Sequence, residues 1–186
     1  GTIAGSPSTV NATGDTPGVS ITSVTSAGPA IITAQGPGGT PAATVNVNFV
    51  ATTANAVSVQ AVPNIVQFTT NSASQTNNIS VITVAVRDPN NNLVKNASVA
   101  LSLADTTGGF LAANTAITDV SGTASVNYTA GGSSSAKNGV TVTATVDKVN
   151  GVAIAPITGN ATLTVAGQAF FVRLGTDNLV QTLPPP

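Results

Sequence analysis

The chain has 186 residues, of which 41% are hydrophobic, 6% charged and 3% aromatic, with a net charge of −1. An ordinary domain carries about 25% charged residues, so charge is scarce here. There is no His, Cys, Met, Trp or Glu. The usual acid/base near neutral pH, the thiol nucleophile and the ordinary zinc ligand sets are therefore absent. Five basic residues (Arg87, Lys95, Lys137, Lys148, Arg173) are too few and too scattered to neutralise a nucleic-acid backbone. The composition includes 29 Thr and 25 Val, with 18 Gly and 11 Pro. Thr and Val favour a pleated sheet, Gly and Pro favour turns, and this mixture predicts an all-β protein. No apolar run is long enough to span a bilayer, so no membrane insertion is expected in this segment.

In chain order, the first recognisable features are the turn Asp15-Thr16-Pro17-Gly18 and the apolar step Phe49-Val50. Asn64–Thr69 is read as an opening strand, followed by Ile79–Arg87, rich in Val and Ile. Asp88-Pro89-Asn90-Asn91-Asn92 is a turn: Asp starts it, Pro presets φ and Asn tolerates the left-handed region. Its Asp-x-Asn-x-Asn spacing imitates the start of a calcium loop. However, Leu93 stands where that loop needs Gly and Val99 where it needs a bidentate Glu, so a turn is favoured. Ala97–Leu103 alternates Val99, Leu101 and Leu103 onto one face, and Thr107-Gly108-Gly109 breaks the chain before Phe110-Leu111. Ala116–Thr118, the turn Asp119–Gly122 and Thr123–Thr129 are expected to form a hairpin, with Ala124, Val126 and Tyr128 facing the core. A loop over Ala130–Gly139 leads to Val140–Val146, alternating Val140, Val142, Ala144 and Val146, and Ala161–Val165 closes the unit. About seven short strands at this spacing indicate an antiparallel β-sandwich.

The chain also repeats itself. Asn64-Ile65-Val66-Gln67 recurs as Asn178-Leu179-Val180-Gln181, an offset of 114. Ala43-Thr44-Val45-Asn46-Val47 recurs as Ala161-Thr162-Leu163-Thr164-Val165, an offset of 118, and Asp15–Gly18 recurs as Asp119–Gly122, an offset of 104. These matches predict tandem sandwiches cut out of phase. Residues 1–53 are then the closing half of one domain, or a divergent N-terminal β domain. Residues 54–166 are a complete domain, and 167–186 are the first strand of a following repeat or a donor strand.

Two blocks resemble the group 1 bacterial Ig-like domain of invasin- and intimin-like surface proteins. The first runs from Val84 to Val99 through Asp88-Pro89-Asn90-Asn91-Asn92, similar to the family's D-x-x-G-N turn but with Asn where Gly is usual. The second, Thr118-Asp119-Val120-Ser121-Gly122-Thr123-Ala124-Ser125-Val126, resembles its T-D-x-x-G-x-A-x-V pattern. The resemblance implies Ig-like β-sandwiches in tandem on a bacterial cell surface, as a stalk or an adhesive tip. The expected partners are neighbouring Ig-like domains or identical subunits, with a host or cell-surface receptor as a further candidate.

No cofactor, metal site or catalytic residue is expected. Five N-x-S/T sequons (Asn11, Asn78, Asn96, Asn127, Asn160) are what chance supplies in a chain so rich in Asn, Ser and Thr. The residues singled out for interaction are Phe170, Phe171, Val172, Leu174, Leu179 and Val180, on an apolar stretch ahead of Pro184-Pro185-Pro186. They suit packing at a domain joint or addition to the edge of a neighbour's sheet. Three functions follow: a structural stalk module, a self-assembling filament subunit donating its terminal strand, and a receptor- or glycan-binding module. The scarcity of aromatic residues disfavours the last.

Overall fold

Alternation of Val and Ile with Thr and Ser pairs strands edge to edge and gives each sheet one apolar face. The computed structural model describes residues 2–4, 18, 20–22, 25–35, 43–69 and 77–167. Its strands are β1 (Thr2–Ala4), β2 (Ser20–Thr22), β3 (Gly28–Ala34), β4 (Ala43–Phe49), β5 (Ala56–Val62), β6 (Ile65–Gln67) and β7 (Ile79–Arg87). They continue as β8 (Ala97–Ala104), β9 (Phe110–Leu111), β10 (Thr115–Ile117), β11 (Thr123–Thr129), β12 (Val140–Val149) and β13 (Val152–Ala166). The described residues contain no helix.

From β5 onward the chain forms an Ig-like sandwich. A four-stranded sheet, β5-β7-β11-β9, faces a five-stranded sheet, β10-β8-β12-β13-β6. All pairs are antiparallel except β6, which runs parallel to the end of β13. The connections β7 to β8 and β11 to β12 both cross between sheets, as Greek-key wiring requires. Val66, Ile82, Val84, Val86, Val99, Val126 and Tyr128 meet Val140, Val142, Val146, Leu163 and Val165 in one apolar core. Each aliphatic side chain of that size removed from water contributes about 1.5–3 kcal/mol.

β1 pairs with β2, and β3 pairs with β4 along seven residues, from Gly28↔Phe49 to Ala34↔Ala43. The link out of β4 enters the sandwich directly: Ala51 is buried in its core, and Asn55 donates its N–H to the Arg87 carbonyl at 2.8 Å.

Three sequence expectations change. β10 and β11 are not a hairpin, since β10 pairs with β8 in one sheet and β11 with β7 and β9 in the other. The turn between them carries the chain from sheet to sheet. β5 stands ahead of the expected opening strand, its Val57, Val59 and Ala61 half-buried against the core. β13 begins at Val152, well before Ala161. Its Pro156 falls where the register with β12 shifts. There Ala153 and Ile157 have partners and the residues between them do not, so no ladder donor is lost. The turn residues Asp15–Pro17 and the terminal strand within 168–186 lie outside the described residues.

Candidate interaction site at the joint between hairpin and sandwich

Three of the six aspartates build loops by one device. The Asp88 carboxylate accepts the N–H groups of Asn90 (2.9 Å) and Asn92 (2.8 Å). Asp105 accepts those of Thr107 (2.6 Å) and Gly109 (3.0 Å), and Asp119 those of Ser121 (2.8 Å) and Thr123 (3.2 Å). A short carboxylate reaching donors two and four residues on closes a loop that has no ladder of its own. At Asp88 and Asp105 desolvation works against ionisation, and their hydrogen bonds outweigh it, holding both carboxyls below their ordinary pKa. Asp119 is held below it by the Ser121 hydroxyl and then by the other donors of its loop. Asn91, where the resembled family carries Gly, has φ +65°, and all four non-glycine residues with positive φ among those described are asparagines.

The two sequence blocks interlock. The Thr118 hydroxyl is buried; it donates to the Val94 carbonyl at 2.6 Å and accepts the Ala97 N–H at 2.9 Å. Thr118 also exchanges backbone hydrogen bonds with Asn96 and Ala97, and Val86 donates to the Gly122 carbonyl at 3.0 Å. Gly122 has φ +65°, and a Cβ there would lie 2.8 Å from that of Leu93, so the turn needs glycine for both conformation and space. At the opposite end, Tyr128 is fully buried and donates its hydroxyl to Asp105 at 2.7 Å. Burial and the adjacent carboxylate push the phenol's pKa well above its ordinary value. Gly109 leaves the room in which Asp105 and the Tyr128 hydroxyl meet.

The turn at Asp88 also holds the N-terminal part of the molecule. The Asn92 amide donates to the Thr25 carbonyl at 2.8 Å and accepts the Ala27 N–H at 3.2 Å, while donating to Asp88 at 2.9 Å. Beside this clamp lies an open cleft of about 430 Å³, lined by Phe49 and Val50 on one side and by Arg87, Leu93, Lys95 and Val120 on the other. Val120 is 80% exposed, and Leu93 and Val50 are also exposed. Phe49, Val50, Leu93 and Val120 give the cleft apolar lining, and Arg87 and Lys95 bring cationic side chains to it. Among the described residues, no three acidic or other metal-ligating side chains cluster.

Phe170, Phe171, Val172, Leu174, Leu179 and Val180 lie outside the described residues. Phe49 and Val50 are at the joint, and Tyr128 is in the core. Sequence reasoning missed the clamp by Asn92, the buried hydroxyl of Thr118 and the carboxylate of Asp105. The i+2, i+4 spacing of small residues after Asp105 was a usable signal for the last; nothing local marked the other two.

No family model matches the chain, and no curated protein matches it. Among solved structures it is similar to the D00-D0 domain of intimin. That match has 15% identity and a TM-score of 0.40, and covers 89% of this chain and 77% of that one. It is also similar to the D0-D1 domain of intimin, at 19% identity and a TM-score of 0.35, covering 75% of this chain and 63% of that one.

Proposed function

We propose that the chain is a non-enzymatic structural module of an extracellular bacterial surface protein of the adhesin/invasin type, an Ig-like sandwich working in series with neighbouring Ig-like domains. The observation that carries this reading is the interlock of the two family-like blocks, Val84–Val99 and Thr118–Val126, through the buried Thr118 hydroxyl. Residues distant in sequence take on a physical reason to occur together. The joint supports the same reading. Ala51 enters the core two residues after β4 ends, and Asn92 grips the segment leading into β3, so force along the chain passes through short connections. A surface of Thr, Ser and Asn with little charge keeps such a spacer hydrated without strong fields.

The test is small-angle X-ray scattering of the full chain at high dilution. A compact globule of this length has a radius of gyration of about 16 Å. A module extended along its joint gives a clearly larger value and an asymmetric distance distribution. A radius at the globular value overturns the spacer reading.

A further inference from the structure

The chain has five basic residues, and two of them, Arg87 and Lys95, line the open cleft of about 430 Å³ at the joint. Among the described residues no carboxylate lines it with them. The aspartates next to lining residues in sequence are engaged in their own loops. Asp88 accepts two backbone N–H groups and the Asn92 amide, and Asp119 accepts the N–H and the hydroxyl of Ser121. Neither Arg87 nor Lys95 forms an ion pair among the described residues. Two positive charges therefore face a concave place whose walls carry no acid, in a chain where charge is scarce.

Arg87 is held in place before any ligand arrives. It ends β7, its backbone bridges to Leu93, and one guanidinium nitrogen donates to the Asn91 carbonyl at 2.9 Å. A guanidinium has about five N–H donors in a planar fork, so others remain for a ligand, and a carboxylate matches that fork. Asn48 and Asn91 also line the cleft, and an amide both donates and accepts. The main chain of the loop wall is already paired: Asp88 N–H with the Asn92 carbonyl, Asn91 N–H with the Asp88 carbonyl, Val94 N–H with the Val86 carbonyl. It offers little ladder to an added peptide strand, and recognition falls to the side chains.

We propose that this cleft binds an acidic saccharide, a sugar chain bearing uronate carboxylates. Arg87 takes a carboxylate on its fork and Lys95 adds the second positive charge. Asn48 and Asn91 meet ring hydroxyls, and Phe49, Val50, Leu93 and Val120 face the apolar C–H surfaces of the rings. The combination of cation, amide and apolar wall is what separates this ligand from an acidic peptide, whose main chain would find few partners here. The volume falls within the range of about 300–1,000 Å³ usual for small-molecule sites, so the cleft holds a short stretch of sugar. Binding is an activity additional to the spacer role and does not depend on it.

The test titrates tetragalacturonate into the isotope-labelled full chain and follows its amide resonances. Saturable shifts appear at Gly28, Phe49, Leu93 and Val120, with a Kd of about 1 mM at low salt that weakens as salt is added. Arg87→Gln and Lys95→Gln each weaken binding about threefold to tenfold. Arg87 also braces Asn91, so Lys95→Gln, whose side chain makes no hydrogen bond among the described residues, carries the test if the arginine variant unfolds. Replacing Lys137 and Lys148 together by Gln removes cations that do not line this cleft and leaves binding unchanged. The fully methyl-esterified tetrasaccharide, with the same rings and no charge, binds about tenfold more weakly or worse. Absence of saturable shifts, shifts confined to other surfaces, or an equal loss in the Lys137 and Lys148 variant overturns the proposal. Tighter binding of tetraglutamate overturns it too, and assigns the cleft to an acidic peptide. Scattering of the free chain reports the spacer reading separately, so either can fail alone.

Discussion

Thr118→Val tests whether the buried hydroxyl holds the two sequence blocks, Val84–Val99 and Thr118–Val126, together. Valine matches threonine in shape, so no cavity opens and the loss is confined to hydrogen bonding. Two backbone groups lose their partner: the Val94 carbonyl, 2.6 Å from the hydroxyl, and the Ala97 N–H, 2.9 Å from it. The side chain is 1% exposed, so water does not readily replace it. A buried backbone group left unpaired costs about 1–3 kcal/mol; two of them, with partial relaxation, cost about 2–4 kcal/mol together. For a cooperative unit of roughly this size that lowers Tm by about 10 °C. Thr118→Ser is the matched control: it keeps both hydrogen bonds, removes one methyl and costs about 0.5–1.5 kcal/mol. Urea unfolding followed by circular dichroism measures both. If the valine variant is as stable as wild type, or more stable than the serine variant, the hydroxyl does not hold the blocks together.

Three further outcomes follow from the same loops. Tyr128 is the chain's single tyrosine, so phenolate absorbance reports it alone. Its pKa is raised in the folded state, so unfolded chains lose the proton first, and stability falls as pH rises above the ordinary tyrosine pKa of about 10. Tyr128→Phe removes that alkaline loss; a phenol that titrates normally in the folded protein refutes the assigned burial. Asp88, Asp105 and Asp119 are shifted down, so their contribution is present above about pH 4 and disappears as pH falls through their folded values. Asp105→Asn flattens that acid limb in pH-dependent melting; an unchanged limb counts against the carboxylate loops. Asn92→Ala releases the clamp on Thr25 and Ala27, so amide exchange at Ala27 accelerates about tenfold or more while the sandwich keeps its protection. Uniform loss of protection shows that the joint and the sandwich are one cooperative unit.

Most of the sandwich was legible because its strands advertise themselves at short range. Ile79–Arg87 and Thr123–Thr129 match β7 and β11 residue for residue, since every second side chain is apolar, Asn78 and Asp88 bound the first and Gly122 precedes the second. Pairing was not legible. Ala116–Thr118 and Thr123–Thr129 flank a short turn with Asp at its start and Gly122 three residues on, which looks like a hairpin from within. Nothing local states that Gly122 packs on Leu93 and carries the chain into the other sheet. β5 was legible and overlooked: Val57, Val59 and Ala61 alternate as cleanly as any strand in the chain.

The interaction site was least legible for a physical reason. The cleft at the joint joins Phe49 and Val50 to Leu93 and Val120, and each of these looks like an ordinary strand or turn residue in its own window. Asn92 was accounted for by its turn, and its backbone N–H does bond Asp88; its amide is what reaches Thr25 and Ala27. An amide can serve two loops at once because it donates and accepts, whereas an aspartate at position 92 would lose the donors to Thr25 and to Asp88. The abundance of Asn in this charge-poor chain thus has a structural role. Asparagine takes the positive-φ corners at Asn91, Asn96, Asn138 and Asn150, and at Asn92 it joins two parts of the molecule without adding charge to a surface that carries little.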